Sequence, residues 1–280
     1  MNLQAKREVW RNTLKTLKGA TPDPSLRVVL LAAHPDDETI GASALLAKVP
    51  QTYVVYLTDG APLDAKFWSP DAHDSREEYA AMRRAEAQRA LSCAGIPPDQ
   101  IAWLGGIDQE AIHAATTLTA RFAEYLSARR PDVVLTHPYE VGHPDHDTAA
   151  LVASAAISHF AAETLLLEMT SYHARAGQCV TGEFLDFDPA AEIEFELTDE
   201  EQRRKRQMLN AHASQHAVLA GFSVDRERFR PAPAYDFSKP PHEGRLWYEC
   251  MHWPMTGSHW RSLATAAIRE MQECNAAHSA

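Results

Sequence analysis

The feature that most constrains this chain is an apolar run followed at once by a polar cluster, and it occurs twice. Val28 to Ala33 leads directly into His34-Pro35-Asp36-Asp37-Glu38, and Val133 to Thr136 is followed by His143-Pro144-Asp145-His146. Short runs rich in Val and Leu are typical of buried strands. In α/β sheets the functional side chains lie beyond the carboxyl ends of such strands. Two His/Asp clusters at two strand ends can converge on one divalent metal, so the pattern favours a metal-dependent hydrolase.

Strand and helix signals alternate through the first half of the chain. Strands are predicted at 27–33, 53–57, 101–104 and 132–136, and helices at 39–49, 75–94, 109–129 and 146–160. Alternation of this kind predicts an α/β fold with a mostly parallel sheet and helices on both faces.

The second half of the chain departs from this alternation. Strands are predicted at 164–170 and 193–197, and helices at 198–219 and 260–273, with a proline-rich irregular stretch at 230–241. The first of these helices opens with the capping box Thr198-Asp199-Glu200-Glu201. We therefore expect a single domain over 1–280, with a core at about 27–215 and a C-terminal elaboration at about 216–280.

Composition disfavours several classes of protein and of metal site. The net charge of −11 disfavours binding to nucleic acid or to an anionic membrane surface. The sequence has no apolar run of about 18 residues, so no membrane span is expected, and its N-terminus lacks the apolar segment of a secretory signal. Four widely spaced cysteines predict neither a disulfide framework nor a thiolate zinc site. These features indicate a cytoplasmic protein whose metal would be held by His and Asp.

The two clusters contain a complete set of zinc ligands. His34, Asp37 and His146 supply two imidazoles and one carboxylate, and a catalytic zinc site uses three protein ligands and one open position. Asp36 is left beside the metal, where its carboxylate can act as general base toward metal-bound water. Helix capping by Asp36 and Asp37 is the alternative interpretation.

The second cluster leaves two further groups for catalysis. His143 can stabilise the tetrahedral oxyanion as a cation, or act as general acid toward the leaving amine. Asp145 is suited to orient His143 or His146. The alternative is that His143 is a loop histidine paired with Asp145.

These residues resemble the PIG-L / LmbE-like deacetylase family. Ala33 to Glu38 matches its AHPDDE string, and His143 to His146 matches its HPDH string. Weaker similarities are Arg83-Arg84-Ala85-Glu86, Leu104 to Asp108, and Lys205 to Gln215, which ends in His-x-Ser-Gln.

The resemblance covers about residues 27–215 and implies a Rossmann-like fold, one zinc ion per chain and hydrolysis of the N-acetyl group of a glucosamine-type sugar. It assigns metal ligation to His34, Asp37 and His146, the base to Asp36 and the oxyanion group to His143, which are the roles that the residue types themselves suggest. It further implies that Arg83 and Asp108 contact the substrate. Some members carry a Tyr where this chain has Val141, and Tyr139 is a candidate to replace it as the oxyanion donor.

The predicted function is therefore zinc-dependent N-deacetylation of a small N-acetylated sugar or glycoconjugate. Two alternatives remain open: an Fe(II) enzyme, which uses a similar set of two histidines and one carboxylate, and a non-catalytic sugar-binding protein with a relic site. Aromatic residues crowd the C-terminal segment, and at least one of Trp247, Tyr248 and Trp253 is expected to line the cleft, with Trp247 the substrate-binding candidate. The sequence leaves open a homo-oligomer.

Overall fold

The computed structural model of this chain describes residues 19, 24–70, 72, 75–140, 142–160, 164–186 and 192–278. Its strands are β1 (Arg27–Ala32), β2 (Gln51–Thr58), β3 (Ile101–Gly106), β4 (Val133–Thr136), β5 (Leu165–Met169), β6 (Tyr172–Arg175), β7 (Gln178–Thr181), β8 (Ile193–Glu196) and β9 (Arg226–Pro231). Seven of them form the central sheet, in the order β3-β2-β1-β4-β5-β9-β8, and a separate hairpin pairs β6 with β7.

The first five strands are parallel, whereas β9 and β8 add to the edge in antiparallel orientation. The helices are α1 (Asp37–Lys48), α2 (Arg76–Cys93), α3 (Ala115–Arg129), α4 (Pro144–Phe160), α5 (Asp199–Ala211), α6 (His216–Leu219), α7 (Trp247–Cys250) and α8 (Gly257–His278). The predicted α/β class with a mostly parallel sheet is confirmed.

Helices cover both faces because β1 is apolar on both sides. Val28 and Leu30 pack into a cluster that includes Leu45 of α1, Leu91 of α2 and Met208 of α5. The intervening residues of β1 face the other way, since side chains alternate along a strand, and they join a cluster built with α3 and α4. A strand buried on both faces reads as a continuous apolar run, as in this sequence.

The strand order reverses between β1 and β4. From β1 the chain adds β2 and β3 on one side, and then returns to place β4 and β5 on the other. Val28 pairs with Val133 and Leu30 with Leu135, so the two carboxyl ends lie side by side. Such a reversal leaves a crevice above the strand ends, where ligands bind in open α/β sheets.

The C-terminal segment forms its own apolar cluster against the sheet domain. Trp260 and Tyr248 are fully buried, together with Phe237, Leu246 and Met271. Helix α8 packs against α3 and α4. The expectation that 1–280 is a single domain stays a prediction.

The helix predicted from Thr198 to about Leu219 is not continuous, because it is broken at His212 and followed by a short 3₁₀ turn and by α6. The capping box between Thr198 and Glu201 is present, but α5 ends at Ala211. The next residue, His212, leaves the helical conformation and is fully buried, with its Nε2 3.3 Å from Thr39 Oγ1. That tertiary contact with α1 is not visible in helical periodicity. Also unpredicted were the hairpin β6–β7 and strand β9. In the described part of the chain, no helix is long and apolar enough to cross a membrane.

A candidate metal centre in a cavity at the strand ends

The crevice above β1 and β4 holds a cavity of about 490 Å³. Its floor is polar and buried, and we use "cavity floor" for His34, Asp36, Asp37, Asp108, His143 and His146. Its opening is mostly apolar, and we use "cavity mouth" for Pro62, Phe67, Val218, Phe222, Trp247, Met251 and Trp253. The two predicted His/Asp clusters thus meet in one place, on the floor.

The carboxylate of Asp37 contacts both His146 and His34, each through a different oxygen. Asp37 Oδ1 is 3.3 Å from His146 Nε2, and Asp37 Oδ2 is 3.4 Å from His34 Nδ1. Two atoms bound tetrahedrally to one zinc ion at about 2.0–2.1 Å lie roughly 3.3 Å apart. One ligand atom from each of the three residues lies within 4.8 Å of the other two. The donor set therefore fits a single zinc ion.

The protonation states of two of these groups suit metal binding. Burial by itself would raise the pKa of Asp37, but the adjacent His146 and His137 hold it well below its usual value. Burial, reinforced by the neighbouring His137, lowers the pKa of His146 to about 3. Asp37 is thus an anion and His146 a neutral imidazole, the forms that coordinate metals.

His34 is held on its far side by two carboxylates. Its Nε2 lies 3.2 Å from Asp108 Oδ1 and 3.2 Å from Asp145 Oδ2. Burial alone would lower the pKa of His34, but Asp108 and Asp145 outweigh it and raise that pKa well above the usual value. A carboxylate that accepts from one ring nitrogen, as Asp145 accepts from His34 Nε2, orients a histidine for metal binding through the other. A metal on the Nδ1 side would displace a proton from this ring.

Asp145 does not occupy the position that the sequence suggested. It was expected to orient His143 or His146, but its carboxylate lies closest to His34 and reaches His143 Nδ1 only at 3.9 Å. Its oxygens also accept from the backbone N–H groups of Gln109 and Ala111, at 2.7 Å and 3.2 Å. The turn after β3 therefore locks Asp145 beneath His34. His34, Asp108, His143 and Asp145 form a second group of four donors that shares His34 with the first.

Asp36 is held in a strained backbone conformation beside the predicted ligands. Its φ is 151°, a region that a residue with a Cβ rarely adopts, and its side chain makes no capping hydrogen bond to α1. Asp37 Oδ2 accepts from the backbone N–H of His34 at 2.7 Å. The helix-cap interpretation therefore does not account for these two residues. Strain of this kind persists only where the surroundings impose it, and it concentrates at functional sites.

The Asp36 carboxylate is paired with a buried arginine. Arg83 Nη2 donates to Asp36 Oδ2 at 3.1 Å and to the carbonyl of Pro35 at 3.0 Å. Burial raises the pKa of Asp36 to about 6, although Arg83 opposes the rise. Gly60, with φ of 67°, lets the turn after β2 approach closely, because a Cβ there would lie 2.8 Å from Arg83 Nε. A carboxyl with a pKa near 6 can both accept and return a proton near neutral pH.

His143 is a neutral side chain in this environment. Its Nδ1 accepts from the backbone N–H of Asp145 at 3.1 Å, so the ring hydrogen sits on Nε2. Burial, with the adjacent His34 and His146, holds the pKa of His143 well below its usual value. The structure thus favours a neutral hydrogen-bond donor over the cation suggested from the sequence. His143 precedes α4, as in the loop interpretation, but it is buried, lines the cavity and reaches the Asp145 carboxylate only at 3.9 Å.

Tyr139 is not positioned to replace the missing oxyanion tyrosine. Its hydroxyl donates to the carbonyl of Lys239 at 2.9 Å, and its ring packs on Trp260 and Phe237 in the C-terminal cluster. It does not line the cavity above β1 and β4. That candidate is corrected, because the C-terminal elaboration captures the side chain. Val141 lies outside the described residues.

Sequence analysis missed His137 and Tyr172. His137 directly follows β4 and is fully buried, with its Nε2 3.3 Å from Asp37 Oδ2 and its ring stacked on His146 at 4.0 Å. Tyr172 lines the cavity with its ring edge 5.1 Å from His146. A histidine immediately after an apolar strand was the available signal for His137. No sequence signal indicated Tyr172, because the β6–β7 hairpin was not predicted.

The remaining predicted substrate contacts divide between floor and mouth. Asp108 lies on the floor, against His34 and His143, and Arg83 also lines the cavity. Trp247 and Trp253 line the mouth, and Trp253 packs edge-on against His143 at 4.6 Å. Tyr248 is buried in the C-terminal cluster instead. The aromatic segment thus serves both the cavity and the core.

Comparison with known proteins identifies related sequences. Residues 29–157 match the sequence profile of PIG-L: GlcNAc-PI de-N-acetylase. A curated relative from Rhodococcus jostii, 1D-myo-inositol 2-acetamido-2-deoxy-alpha-D-glucopyranoside deacetylase, is 26% identical over 161 residues, which are 47% of this chain and 53% of the relative. The protein of the same name from Tsukamurella paurometabola is 30% identical over 171 residues, 50% of this chain and 57% of the relative. This chain spans about half the length of these curated relatives.

Solved structures share the fold. The A40926 pseudoaglycone deacetylase superposes with a TM-score of 0.56 at 17% identity, covering 75% of this chain and 98% of its own. The N,N'-diacetylchitobiose deacetylase from Pyrococcus horikoshii gives 0.55 at 20% identity, covering 81% and 92%. A structure described as the zinc-inhibited form of teicoplanin deacetylase gives 0.54 at 14% identity, covering 75% and 99%. At these identities the likeness establishes the Rossmann-like fold, and function must be argued from the site.

Proposed function

Because residues 29–157 belong to the PIG-L (LmbE-like) family, we propose that this chain is a zinc-dependent hydrolase that removes the N-acetyl group from an N-acetylglucosamine-type sugar or glycoconjugate. The observation that carries the proposal is the cavity floor. Three buried ligand residues, with ligand atoms within 4.8 Å of one another, share the cavity lining with Asp36, whose carboxylate is not needed for ligation. The deacetylase names of the relatives point to the same chemistry.

His34, Asp37 and His146 would hold the zinc ion. Zinc bound there would act as a Lewis acid, polarising the amide carbonyl and lowering the pKa of a coordinated water. His137 supports this set as a positioning residue, since its Nε2 lies 3.3 Å from Asp37 Oδ2 and its ring stacks on His146. Asp108 and Asp145 position His34 in the same way, since both lie 3.2 Å from its Nε2.

Asp36 is the general base in this proposal. With a pKa of about 6, its carboxylate is mostly ionised at neutral pH and can take a proton from the attacking water. Arg83 fixes the direction of the carboxylate through Asp36 Oδ2. The same group, once protonated, is the stronger candidate to return the proton to the leaving amine, because the low pKa of His143 prevents it from carrying an additional proton.

His143 would stabilise the developing oxyanion as a neutral donor. Its Nδ1 is occupied by the backbone N–H of Asp145, so its Nε2–H is available to donate. Donors fixed in a buried site before the reaction stabilise developing charge without reorganisation. Trp253 restricts the ring from the mouth side.

Arg83 lines the cavity beside the floor and is the preferred substrate contact there. Its Nη2 is bound to Asp36 and Pro35, but its buried Nε and Nη1 have no hydrogen-bond partner. Arg83 Nε faces the backbone of Gly60, which leaves Nη1 as the donor that a sugar hydroxyl or an amide oxygen would satisfy. Asp108 faces His34 and His143, which favours a role in ordering the floor over direct sugar binding.

The alternatives make different demands on the same site. An Fe(II) enzyme would use the three ligands but has no need of a base at Asp36. A relic binding protein would have no reason to retain the strained φ of Asp36 or its pairing with Arg83. Both observations favour hydrolysis.

The test is an acetate-release screen of N-acetylated amino sugars with zinc supplied, combined with metal analysis of the purified protein. We expect acetate in equimolar amount to free amine, and about one zinc ion per chain. Iron in the site together with oxygen consumption would replace the hydrolase with the oxygenase alternative. Bound sugar with no acetate and no metal would support the relic site.

A further inference from the structure

Glu38 is a buried carboxyl group beside the predicted base, and the proposed function gives it no role. It directly follows Asp36 and Asp37 in the sequence, yet it is fully buried and lies outside the lining of the cavity. A substrate in the cavity therefore cannot reach it. Buried polar groups in folded proteins are hydrogen-bonded, because leaving one unpaired is unfavourable. The partners of Glu38 therefore indicate what it does.

The first partner of Glu38 is the backbone of Asp36. The N–H of Asp36 donates to Glu38 Oε2 at 3.1 Å, so the second residue of α1 reaches back to the residue before the helix. In a capping box, the residue before the helix accepts a first-turn N–H through its side chain, and a first-turn glutamate accepts its backbone N–H. Here the Asp36 carboxylate makes no such bond and is bound to Arg83 instead. Glu38 thus holds the start of the helix and leaves the carboxylate of Asp36 to the cavity.

The contact between Glu38 and Asp36 accounts for the strained backbone at this position. Asp36 has φ of 151° and ψ of −23°, which a residue with a Cβ adopts only when its surroundings impose it. The angle φ describes rotation of the N–H of Asp36 relative to the chain that follows, and that chain carries Glu38. Relaxation of φ to ordinary negative values would separate this N–H from Glu38. The hydrogen bond therefore opposes relaxation.

The second oxygen of Glu38 is held by α1 itself and by the residue after α5. Thr39 Oγ1 donates to Glu38 Oε1 at 2.8 Å. His212 Nε2 lies 3.3 Å from that hydroxyl oxygen and 3.6 Å from Glu38 Oε1. All three side chains are fully buried. Both oxygens of Glu38 are therefore occupied, and its carboxyl group is fixed in one orientation.

The segment that carries His212 is anchored on the helix that carries Arg83. Ser214 donates to both oxygens of Glu86, through its N–H at 2.9 Å and through its hydroxyl at 2.6 Å. Glu86 lies three residues after Arg83 on α2, and Arg83 donates to Asp36 Oδ2 at 3.1 Å. The backbone of Asp36 and its carboxylate are thus held from two sides by segments that are bonded to each other.

We propose that Glu38 is a positioning residue for the base: its bond to the N–H of Asp36 holds the backbone that presents the Asp36 carboxylate to the cavity, and His212 keeps Glu38 in place. The proposal rests on the proposed function, because it takes Asp36 as the base. Glu38 itself neither binds the metal nor exchanges a proton with the substrate. The three acidic residues in succession then have three roles, since Asp36 is the base, Asp37 a ligand and Glu38 the support of the base.

The first experiment compares Glu38→Met with Glu38→Gln, which have side chains of similar length. Only Glu38→Gln retains an oxygen that can accept from the N–H of Asp36. We expect kcat for acetate release to fall about 100-fold in Glu38→Met, since a misplacement of about 1 Å can have this effect. In Glu38→Gln it should fall only roughly threefold, because a neutral acceptor is weaker but still present. Zinc content should stay unchanged in both variants.

The matched control is Glu77→Met. Glu77 is the second residue of α2, as Glu38 is of α1, but it is exposed. This variant should retain the kcat of the unaltered protein. Equal losses of kcat in Glu38→Met and Glu38→Gln would overturn the proposal. Loss of zinc from Glu38→Met would also overturn it, by assigning Glu38 to the metal ligands.

A double-mutant cycle tests whether Glu38 acts through Asp36. Glu38→Met is made in the Asp36→Asn background, where no base remains to be positioned. We expect the second substitution to change kcat there by no more than about twofold, because the two residues act as one unit. The same 100-fold loss in both backgrounds would overturn the proposal, since Glu38 would then act on the reaction by a route that does not involve the base.

Crystal structures give a readout that does not depend on turnover. The φ of Asp36 should be positive in the unaltered protein and in Glu38→Gln, and negative in Glu38→Met. A positive φ retained in Glu38→Met would overturn the proposal even if the rate fell. If Glu38→Met did not fold, the unaltered protein would decide, because an Asp36 N–H bonded to any group other than Glu38 would overturn the proposal.

The same structures separate this proposal from the proposed function. If the unaltered protein bound zinc but released no acetate from any N-acetylated sugar, the deacetylase would be removed. A change of the Asp36 backbone in Glu38→Met would still support the positioning of Asp36 by Glu38. Acetate release with an unchanged Asp36 backbone in Glu38→Met would keep the deacetylase and overturn the role of Glu38.

Discussion

The floor and the mouth of the same cavity are built by different means. Floor residues follow strands whose other ends lie in the core, so His34 and Asp37 are fixed by β1 and α1. Mouth residues come from turns and short helices outside the sheet, and several of them are exposed. The floor is held by charge-assisted contacts of 2.7–3.4 Å, whereas the mouth is held by ring packing at 4.6–6.0 Å.

This difference predicts how each half responds to change. The energy of a charged contact in a buried site depends strongly on distance and direction. When one partner is lost, the other stays buried and unpaired, which lowers stability. Apolar contacts scale with area and are lost gradually. Floor substitutions should therefore alter metal binding and rate by orders of magnitude, and mouth substitutions should alter the choice of substrate by modest factors.

The largest expected effect is at a metal ligand. His146→Ala should remove zinc and activity together, because two donors cannot hold the ion at this site. Metal content by atomic absorption and acetate release are the measurements. His259→Ala, an exposed histidine on α8, is the matched control and should retain both. A full complement of zinc in His146→Ala would take this residue out of the ligand set.

Next in size is the base. Asp36→Asn keeps the shape and removes the proton acceptor, and we expect a loss in kcat of ~10²–10⁴-fold with zinc still bound. The exposed Asp99→Asn is the control and should behave as the unaltered protein. A near-normal rate in Asp36→Asn would mean that another group activates the water, and the division of roles on the floor would have to be redrawn.

His137 tests whether contacts behind the ligands matter to the metal. His137→Ala should weaken zinc affinity by roughly 10–100-fold, since groups that orient metal ligands typically contribute this much. A competing chelator measures the affinity, and the absorption spectrum of the cobalt(II) form reports the geometry. His137→Gln, which retains a donor, should recover part of the loss. If His137→Ala left the cobalt(II) spectrum and the zinc affinity unchanged, His137 would contribute only to packing.

Arg83 should change the pH dependence of the reaction. Asp36 acts as a base only when ionised, so kcat/KM should fall as the pH drops below about 6, the pKa given by its burial. Arg83 opposes that rise in pKa, so Arg83→Gln should move the acid limb upward by about one pH unit. The pH profile of kcat/KM is the measurement. A midpoint that does not move would show that the limb belongs to a different group.

The smallest effect is expected in the mouth. Trp247→Ala should raise KM several-fold while kcat and the thermal midpoint barely change, because Trp247 is half-buried at the cavity opening. Trp260 offers the contrast within the same segment, since it is fully buried and Trp260→Ala should lower the free energy of unfolding by ~3–5 kcal/mol. If both variants lowered the free energy of unfolding by several kcal/mol, Trp247 would be part of the hydrophobic core and not of the cavity mouth.

Local patterns were enough to predict the fold class and the position of the clusters. A strand buried on both faces must be continuously apolar, as Val28 to Ala33 is, and its carboxyl end must be followed by the residues that line the crevice. The types of the clustered side chains likewise indicate a metal. These properties depend on neighbours in the sequence, which is why the sequence by itself determined them.

Tertiary structure decided what depends on contacts between distant segments. The reversal of strand order brings β4 next to β1, and only then does His137 meet Asp37. Burial and the backbone N–H of Asp145 make His143 a neutral donor, and the C-terminal cluster turns Tyr139 away from the site. The apolar mouth arises from three segments separated by more than thirty positions, shown by Phe67, Val218 and Met251. Charge state and cavity shape are set by what surrounds a residue in space, and no local pattern records those surroundings.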